Sequence, residues 1–438
     1  MSIINIDFNK TVGDIKIMHA VNNGPVIAGK DQTRGNQDDY RAARIPYART
    51  HDAAFYAGYG GEHTVDVHAI FPDFDADECD PASYDFACTD AYLSGMIKYG
   101  TMPFYRLGSK IEHGVKKYGT VAPRDFNKWA RICEHIIRHY NEGWADGFFY
   151  GIEYWEIWNE PDLDPDDSTN KRCWSGTEEE FARMYVIAAK HLKSCFPTLK
   201  IGGPASAGDE AWMERFLKRI AGEHPPIDFF SWHWYWTQPY DMSIKGTRIR
   251  KLLDKYGYTE SESILNEWNY VRGWTDDFVY SVEQIIGIKG AAFTAACMMA
   301  AQKNPAIDML MYYDARPTGF NGLFDFYTMR PLKGYYPFFI FSKLYALGKE
   351  TLSMSDDGEV YAVSARDGDR GGIMVVYYSE DDNKGAKRIT LSTQGLDISD
   401  AKIYLTDANN TMTERVPCVE NGKITMRLER NSIVYIEI

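Results

Sequence analysis

Hydrophobic positions in the middle of the chain alternate between short apolar runs and longer runs of helical period. Between Asp125 and Tyr140 apolar residues recur at i, i+3, i+4 and i+7, which predicts an amphipathic helix. Thr177 and Glu180 form a capping box that begins a second one. The runs between helices lack strict alternation, as in parallel strands buried on both faces. We predict eight such strands, at Ile15–Val21, Ile45–Thr50, Thr101–Arg106, Ile152–Trp158, Leu199–Gly203, Ile227–His233, Ser263–Glu267 and Met309–Tyr313.

Eight strands alternating with helices predict an α/β fold of the closed (β/α)8, or TIM-barrel, type. We assign the barrel to residues 12–348. Its first two units are the weakest, because only a short helical pattern, Gln37–Ala43, separates the first two strands.

The pattern changes after residue 348, where short strands separated by turn signals replace the helices. This spacing predicts a C-terminal antiparallel β-sandwich domain at residues 349–438, to which residues 1–11 could add a strand. We expect it to pack on the barrel, because no flexible linker separates the two. The predicted strands are Glu359–Ala365, Gly372–Tyr378, Lys387–Leu391, Ala401–Thr406, Lys423–Leu428 and Ser432–Ile438.

Composition and charge narrow the function. A net charge of −14 argues against binding nucleic acid, which needs a basic surface. No window approaches 18 consecutive apolar residues, so we expect no membrane span. The first 16 residues carry no signal-peptide pattern. We therefore expect a cytoplasmic protein, with secretion after removal of a signal as the alternative.

Neither the cysteines nor the histidines indicate a metal site. The seven cysteines are odd in number and irregularly spaced, which predicts neither a disulfide framework nor a zinc site. His63 and His68 have no further ligands at metal-binding spacing, so we predict no metal.

The first candidate catalytic residue is Glu160, in the segment Tyr154–Pro161. An apolar strand ends there at Asn-Glu-Pro, because proline cannot continue the ladder. Glu160 is then expected at the carboxyl-terminal mouth of the barrel, where catalytic residues of this fold lie. Crowding by Trp155 or Trp158 would desolvate the carboxyl group and raise its pKa, which suits a general acid.

The second candidate is Glu267, which ends the seventh predicted strand within Ile264–Asn269. In a ring of eight strands, the ends of the fourth and seventh face each other. Two carboxyl groups that face one space are what glycoside hydrolysis requires. Glu156 lies on the face of Glu160 and Trp158 by strand alternation, and we interpret it as a buried structural partner.

These motifs resemble clan A glycoside hydrolases, and within that clan most resemble glycoside hydrolase family 39, which includes β-xylosidases and α-L-iduronidases. The resemblance spans the barrel. It rests on Arg49-Thr50-His51-Asp52, Pro103–Leu107, Trp158-Asn159-Glu160-Pro161, Ser231–Tyr235 and Glu267.

The resemblance implies a retaining enzyme without a cofactor, with Glu160 as acid/base and Glu267 as nucleophile. It implies that Asn159 binds the sugar 2-hydroxyl and that His51, His233 and Tyr235 line the glycone subsite. Asp52, Trp268 and Tyr313 are further candidates for substrate contact, because they lie at strand ends or beside Glu267. Trp232, Trp234 and Trp236 are either core residues or a sugar platform. We expect Trp236 and Trp274 to be the nearer to substrate.

Two segments depart from the β-xylosidase-like members of the family. Met311–Pro317 lacks their Tyr-Trp pair, and Val21–Pro25 also differs. Because of these two differences, the sequence does not decide whether the released sugar is xylose or arabinose. The leading prediction is an exo-acting hydrolase of oligosaccharides, since an enzyme inside the cell meets short oligomers. Alternatives are release of arabinose or an arabinobiose-type disaccharide, endo action, and a non-catalytic carbohydrate-binding protein. Assembly as a homo-oligomer stays open.

Overall fold

Eight parallel strands close into a barrel in the computed structural model, which describes residues 2–28, 34–52, 64–317, 321–420 and 422–438. Each predicted barrel strand corresponds to an observed one, with ends that differ by at most three residues. Neighbours along the chain are neighbours around the barrel. The strands are β2 (Ile17–Asn22), β3 (Tyr47–Arg49), β4 (Met102–Leu107), β5 (Tyr154–Ile157), β6 (Lys200–Ser206), β7 (Phe229–Trp236), β8 (Glu262–Tyr270) and β9 (Met309–Tyr312).

Helices surround the barrel and bury one apolar face against it. The capping box of Thr177 and Glu180 is present at the start of the helix Glu178–Cys195, as predicted. The predicted helix after Asp125 is also present, and it ends at Gly143, whose φ of 75° favours glycine. The helices are α1 (Gln37–Ala42), α2 (Val67–Ile70), α3 (Ala87–Lys98), α4 (Phe126–Glu142), α5 (Glu178–Cys195), α6 (Glu210–Ile220), α7 (Pro239–Lys255), α8 (Phe278–Ile285), α9 (Ile288–Gln302) and α10 (Tyr335–Leu347).

A separate, mostly antiparallel sheet of ten strands forms the second unit, with its own apolar core. Together with the closed barrel, it confirms the predicted fold class. The amino-terminal strand pairs parallel to β13 and antiparallel to β10. The strands are β1 (Ser2–Asp14), β10 (Lys349–Ser355), β11 (Val360–Asp367), β12 (Arg370–Tyr377), β13 (Lys387–Gln394), β14 (Lys402–Thr406), β15 (Thr413–Arg415), β16 (Cys418–Glu420), β17 (Lys423–Leu428) and β18 (Ser432–Glu437).

The sheet packs on the barrel through α9 and α10. Almost all of α9 is buried, which explains why its sequence is apolar on every side. Lys289 of α9 donates to the Glu380 carbonyl at 2.9 Å, and the Tyr378 hydroxyl donates to the Thr237 carbonyl at 2.7 Å. Within the described ranges, no single helix is long and apolar enough to cross a membrane; α8 and α9 pass such a test only as a pair bent by 79°.

Apolar side chains fill the barrel interior near the amino-terminal ends of its strands. We call them the floor cluster: Ala20, Phe104, Tyr154, Phe229, Ile264, Met309 and Met311. Above this cluster, toward the carboxyl-terminal ends, the interior becomes polar.

Candidate active site

A tight turn after β5 brings Glu160 into the mouth of the barrel. Trp158 and Glu160 adopt φ angles of 76° and 44°, a region that bulky side chains rarely occupy. The turn is held by two backbone hydrogen bonds, Trp158 to Leu107 and Glu160 to Ala205. Strained residues of this kind cluster at functional sites, where the surrounding structure enforces them.

Both tryptophans of the motif point away from Glu160, Trp158 because of the turn and Trp155 by strand alternation. Trp158 packs between Trp129 and Trp174, with ring centroids at 5.8 and 5.0 Å. Trp155 stacks on Tyr105, on the outer face of the strands. The prediction that one of them crowds Glu160 is therefore wrong. The prediction that Glu156 and Trp158 lie on the same face of the strand is also wrong, because alternation stops at the turn.

A β-bulge in β8 directs Glu267 into the barrel. Trp232 pairs with Leu265, but the next residue, His233, pairs with Glu267, so Asn266 is the extra residue. Such an insertion redirects the side chains that follow it. Without the bulge, Glu267 would share the outward face of Leu265.

The two glutamates lie close together and have different partners. Glu160 Oε1 is 2.8 Å from His233 Nδ1, whereas Glu267 Oε1 accepts from the Tyr235 hydroxyl at 2.5 Å. One ligand atom each of Glu160, His233 and Glu267 fall within 4.8 Å of one another. The structure thus brings together four of the residues predicted for the site.

Arg49 binds this group together from beneath. The fully buried guanidinium donates to Glu156 at 2.6 Å, to Asn159 at 2.7 Å and to Glu267 at 3.3 Å. Glu156 also accepts from Asn266 at 2.5 Å. Glu156 is therefore the structural partner that the sequence predicted, and Arg49 is a site residue to which the sequence analysis assigned no separate role.

Burial makes both glutamates weaker acids than they are in water. It raises the pKa of Glu160 to about 7 and that of Glu267 to about 7. His233 is neutral, because burial lowers its pKa to about 4. Of the pair, Glu267 is the better stabilised as an anion, since it accepts bonds from Arg49 and Tyr235. Glu160 faces the neutral imidazole, so a proton shared by the pair belongs on Glu160.

Asp52 and Tyr313 form a second wall of the mouth. The Tyr313 hydroxyl donates to Asp52 Oδ2 at 2.6 Å, and Arg316 lies 3.6 Å from both Asp52 and Asp314. Burial opposes ionisation of Asp52, but His51, Arg316 and the Tyr313 hydroxyl outweigh it and lower the pKa of Asp52 to about 2. Asp52 is therefore an anion, with its charge shared by an arginine and a phenol.

The remaining predicted residues divide between the mouth and the core. His51 Nε2 lies 4.0 Å from Glu267, and Asn159 is held by Arg49. Trp268 corrects the sequence-based prediction, because it is 0% exposed and packs on Phe293 and Tyr312. Since it follows Glu267 directly in the strand, it faces the helices.

The tryptophan run of β7 also divides. Trp232 and Trp234 are buried core residues, whereas Trp236 is 49% exposed. Trp274 is 58% exposed, and its ring meets Tyr235 edge-on at 5.0 Å. Trp274 is therefore an exposed aromatic residue in contact with a residue of the mouth.

Cys173 is a site residue that the sequence analysis missed. It lies in the loop between β5 and α5, with its sulfur 3.8 Å from Glu160 Oε2. No periodicity or motif marks this position, so only the folded chain brings the thiol to the carboxyl group.

Two groups of side chains within the described ranges have the donor atoms for a metal ion: Glu160, His233 and Glu267 in the mouth, and Glu134, His191 and Cys195 on α4 and α5. In the first, the guanidinium of Arg49 already lies beside Glu267 and repels a cation. In the second, Glu134 is paired with Arg138 and His191. His63 lies outside the described residues, and the absence of a metal stays a prediction.

A protein-family model described as "Glycosyl hydrolases family 39" matches residues 33–260, just over half of the chain. The chain belongs to glycoside hydrolase family 39. This confirms the family that the sequence motifs indicated. The matched region contains Glu160 and ends seven residues before Glu267, so the position of Glu267 is established by the barrel geometry.

Two β-xylosidases are similar in sequence. The chain is 27% identical to that of Caldicellulosiruptor saccharolyticus over 253 residues, which are 55% of this chain and 47% of the relative. It is 29% identical to that of Geobacillus stearothermophilus over 167 residues, 35% of this chain and 31% of the relative. The chain thus spans less than half the length of these curated relatives.

Solved structures share the complete fold. A glucosidase from Croceicoccus marinus superposes with a TM-score of 0.80 at 21% identity, covering 100% of this chain and 98% of that one. A β-xylosidase from Caulobacter crescentus CB15 gives 0.70 at 15%, covering 99% of both chains. A family 51 α-L-arabinofuranosidase from Thermotoga petrophila RKU-1 gives 0.69 at 15%, covering 100% of both. At these identities the likeness establishes the fold alone.

Proposed function

We propose that this protein is a retaining, exo-acting glycoside hydrolase that releases xylose or arabinose units from oligosaccharides. The observation that carries the proposal is the pair Glu160 and Glu267, buried together at the barrel mouth with unequal partners. Family membership and the two β-xylosidase relatives support a carbohydrate substrate.

In the first step, Glu160 donates its proton to the glycosidic oxygen while the Glu267 carboxylate attacks the anomeric carbon. The aglycone leaves and the sugar is bound covalently to Glu267. In the second step, Glu160, now ionised, takes a proton from water, whose oxygen displaces Glu267. His233 orients the Glu160 carboxyl group, and Arg49 and Tyr235 hold Glu267 as an anion.

The separation of the two carboxyl groups supports the retaining course. Retaining enzymes keep these groups about 5–5.5 Å apart, whereas inverting enzymes leave about 6.5–9.5 Å for a water molecule. In the present site, one oxygen atom of Glu160 and one of Glu267 lie within 4.8 Å of each other, which is nearer to the retaining spacing than to the inverting one.

The charges in the mouth favour a neutral glycone. Arg316 is already paired with Asp52 and Asp314. A uronic acid would bring a further carboxylate beside Asp52, whose charge is present throughout the working pH range. We therefore prefer a pentose to an iduronide-type substrate. Exo action is favoured by the nearly complete burial of Glu267, His51 and Asp52, which suits a pocket that encloses one terminal sugar.

Hydrolysis of a panel of nitrophenyl glycosides tests the proposal. The panel comprises β-xyloside, α- and β-arabinosides, β-glucoside, β-galactoside and an iduronide-type substrate, with Glu160→Gln and Glu267→Gln alongside. We expect turnover of a pentoside that is lost in both variants. Proton NMR of the first product should show the anomeric configuration of the substrate. Initial release of the opposite anomer would exclude the retaining course.

Arabinose or arabinobiose release is the second candidate, supported by the fold shared with the family 51 arabinofuranosidase. An enzyme that releases disaccharides would ignore the monosaccharide panel, so arabino- and xylo-oligosaccharides are included as substrates. Products longer than a disaccharide would indicate endo action. Binding of these oligomers without turnover would instead identify a carbohydrate-binding protein.

A further inference from the structure

Cys173 contacts each residue of the Trp158-Asn159-Glu160 segment. Its carbonyl oxygen accepts from Trp158 Nε1 at 2.8 Å. Its sulfur lies 4.0 Å from Asn159 Nδ2 and 3.8 Å from Glu160 Oε2. The residue is almost completely buried. One residue of a loop thus touches three consecutive residues of the motif, of which the last two are the functional candidates.

We propose that Cys173 is a positioning residue for the general acid: its thiol donates to Glu160 Oε2, and its sulfur accepts from the Asn159 amide. This rests on the proposed function of Glu160. The two oxygens of Glu160 then have separate partners, because His233 holds Oε1. The carboxyl group is fixed from both sides, and Asn159, whose Oδ1 is bound to Arg49, is fixed with it.

A thiol suits this place better than a stronger donor. An acid that must keep its proton near neutral pH is harmed by any bond that strongly stabilises its ionised form. The S–H group is a weak donor, so it orients the carboxyl group while stabilising the ionised form only slightly. Burial raises the pKa of Cys173 well above its ordinary value, which keeps the thiol protonated and able to donate.

Charged and titratable groups from every side face Glu160, and the thiol acts among them. They are Arg49 of β3, Arg172 beside Cys173, His233 and Tyr235 of β7, Glu267 of β8, Asp52 after β3 and Asp162 after β5. All of these side chains are retained in the Cys173 variants, so the expected change in titration comes from the donor at position 173.

Cys173→Ala and Cys173→Ser separate positioning from packing. Both variants shrink the side chain, but only serine keeps a donor. We expect Cys173→Ala to lower kcat/KM by roughly threefold to tenfold, the equivalent of one net hydrogen bond. Its upper pH limb should move to higher pH, because the ionised form of Glu160 loses a donor. The kcat/KM of Cys173→Ser should stay within about twofold of the wild-type value, because the serine hydroxyl still donates a hydrogen bond. The upper limb of its pH profile should lie at or below the wild-type pH.

Cys133→Ala is the matched control, because Cys133 is a buried cysteine of α4 outside the mouth. Its pH limbs should coincide with those of wild type. Equal losses in Cys173→Ala and Cys173→Ser, with unmoved limbs, would reduce Cys173 to a packing residue. Wild-type behaviour of Cys173→Ala would remove the role altogether.

The infrared S–H stretch supplies a test that needs neither turnover nor a stable alanine variant. The Cys173 band is identified by its loss in Cys173→Ser. We expect this band at the low frequency of a donating thiol, with a shift upward in Glu160→Ala, which removes the acceptor oxygen. A band that does not move in Glu160→Ala would overturn the proposal, whether or not the wild-type protein hydrolyses a glycoside. If no glycoside is hydrolysed, the proposed function fails while the band still reports the contact.

Discussion

The interior of the barrel has two layers with opposite properties. The floor cluster is buried and is apolar except for the Tyr154 hydroxyl, and its aromatic rings pack at 4.9–5.5 Å. Two residues further along the same strands, Tyr154 gives way to Glu156, Ile264 to Asn266 and Phe104 to Arg106. The floor cluster gains free energy from apolar burial, whereas the mouth holds ionisable groups that burial disfavours. Stability and chemistry are thus supplied by different layers of one set of strands.

The largest expected effect is on the chemistry of the mouth. Glu267→Gln should lower kcat/KM by a factor on the order of 10⁵, because the covalent route through the nucleophile is lost. Steady-state kinetics on the best panel substrate measures it. Glu262→Gln is the matched control, since Glu262 begins the same strand at the opposite end of the barrel and pairs with Lys200.

Glu262→Gln should keep its turnover. A loss of only about 10²-fold is what removal of a general acid or base can cause. If Glu267→Gln keeps a hundredth of the wild-type kcat/KM or more, Glu267 is therefore not the nucleophile. External azide sharpens the assignment. Glu267→Gly should yield a glycosyl azide inverted relative to the substrate, and Glu160→Ala should yield a retained one. The opposite pattern would exchange the two roles.

The stability of the charged side chains at the mouth depends most on Arg49. Arg49→Met should lower the free energy of unfolding by about 3–5 kcal/mol, because Glu156 is left buried without its cation. Urea unfolding measures this loss. Adding Glu156→Gln should restore much of it without restoring activity, since Glu267 and Asn159 still lack the guanidinium. A loss below about 1 kcal/mol, the size of a surface ion pair, would mean that water reaches this layer.

The sequence could predict the floor cluster far better than the mouth. Apolar runs and helical stripes located all eight barrel strands within three residues, because burial on both faces leaves a plain pattern. Three strands of the sheet were missed: β10, which has seven residues, and the weakly patterned β15 and β16, which have three residues each. Glu160 and Glu267 were found from their positions at strand ends.

The orientation of these glutamates could not be predicted from the alternation of inward and outward side chains along a strand. The bulge at Asn266 and the left-handed turn at Trp158 both break alternation, and neither leaves a sign such as glycine in the sequence. The error at Trp268 follows from the same cause. Cys173 reaches the site from a loop that no motif marks, so only tertiary structure could reveal it.

A smaller effect is expected on the free energy of unfolding, because burial of the Glu160 carboxyl group disfavours its ionised form. The pKa of Glu160 rises from 4.5 to about 7 on folding. A carboxyl group with a raised pKa binds its proton more tightly in the folded state, so stability falls as pH rises through this window. Glu160→Gln removes that dependence. It should match wild type near pH 4 and exceed it by on the order of 2 kcal/mol at pH 8.

Urea unfolding of both proteins at pH 4.5, 6 and 8 provides the measurement. Glu260→Gln is the control, because Glu260 is exposed and its replacement should give a constant difference across the same range. A Glu160→Gln difference that is equally constant would mean that the acid is solvated in the folded protein.

Tyr235 tests how far the nucleophile depends on its neutral donor. Tyr235→Phe should lower kcat/KM about tenfold, near the lower end for a hydrogen bond to a charged group. The ionised form of Glu267 loses the phenol, so its pKa should rise and the acidic limb of the pH profile should move to higher pH. An unmoved acidic limb would indicate that Arg49 alone sets the charge of Glu267.

The smallest effect isolates the floor cluster. Ile264 is fully buried there, two residues before Asn266 on the strand that carries Glu267. Ile264→Val removes one methylene group and should lower the free energy of unfolding by about 0.5–1.5 kcal/mol. Because the bulge separates this position from Glu267, kcat/KM and both pH limbs should match wild type. Urea unfolding and a pH–rate profile on one preparation measure both quantities. A shifted acidic limb would show that packing in the floor cluster sets the position of the nucleophile, and the two layers would then have to be treated as one unit.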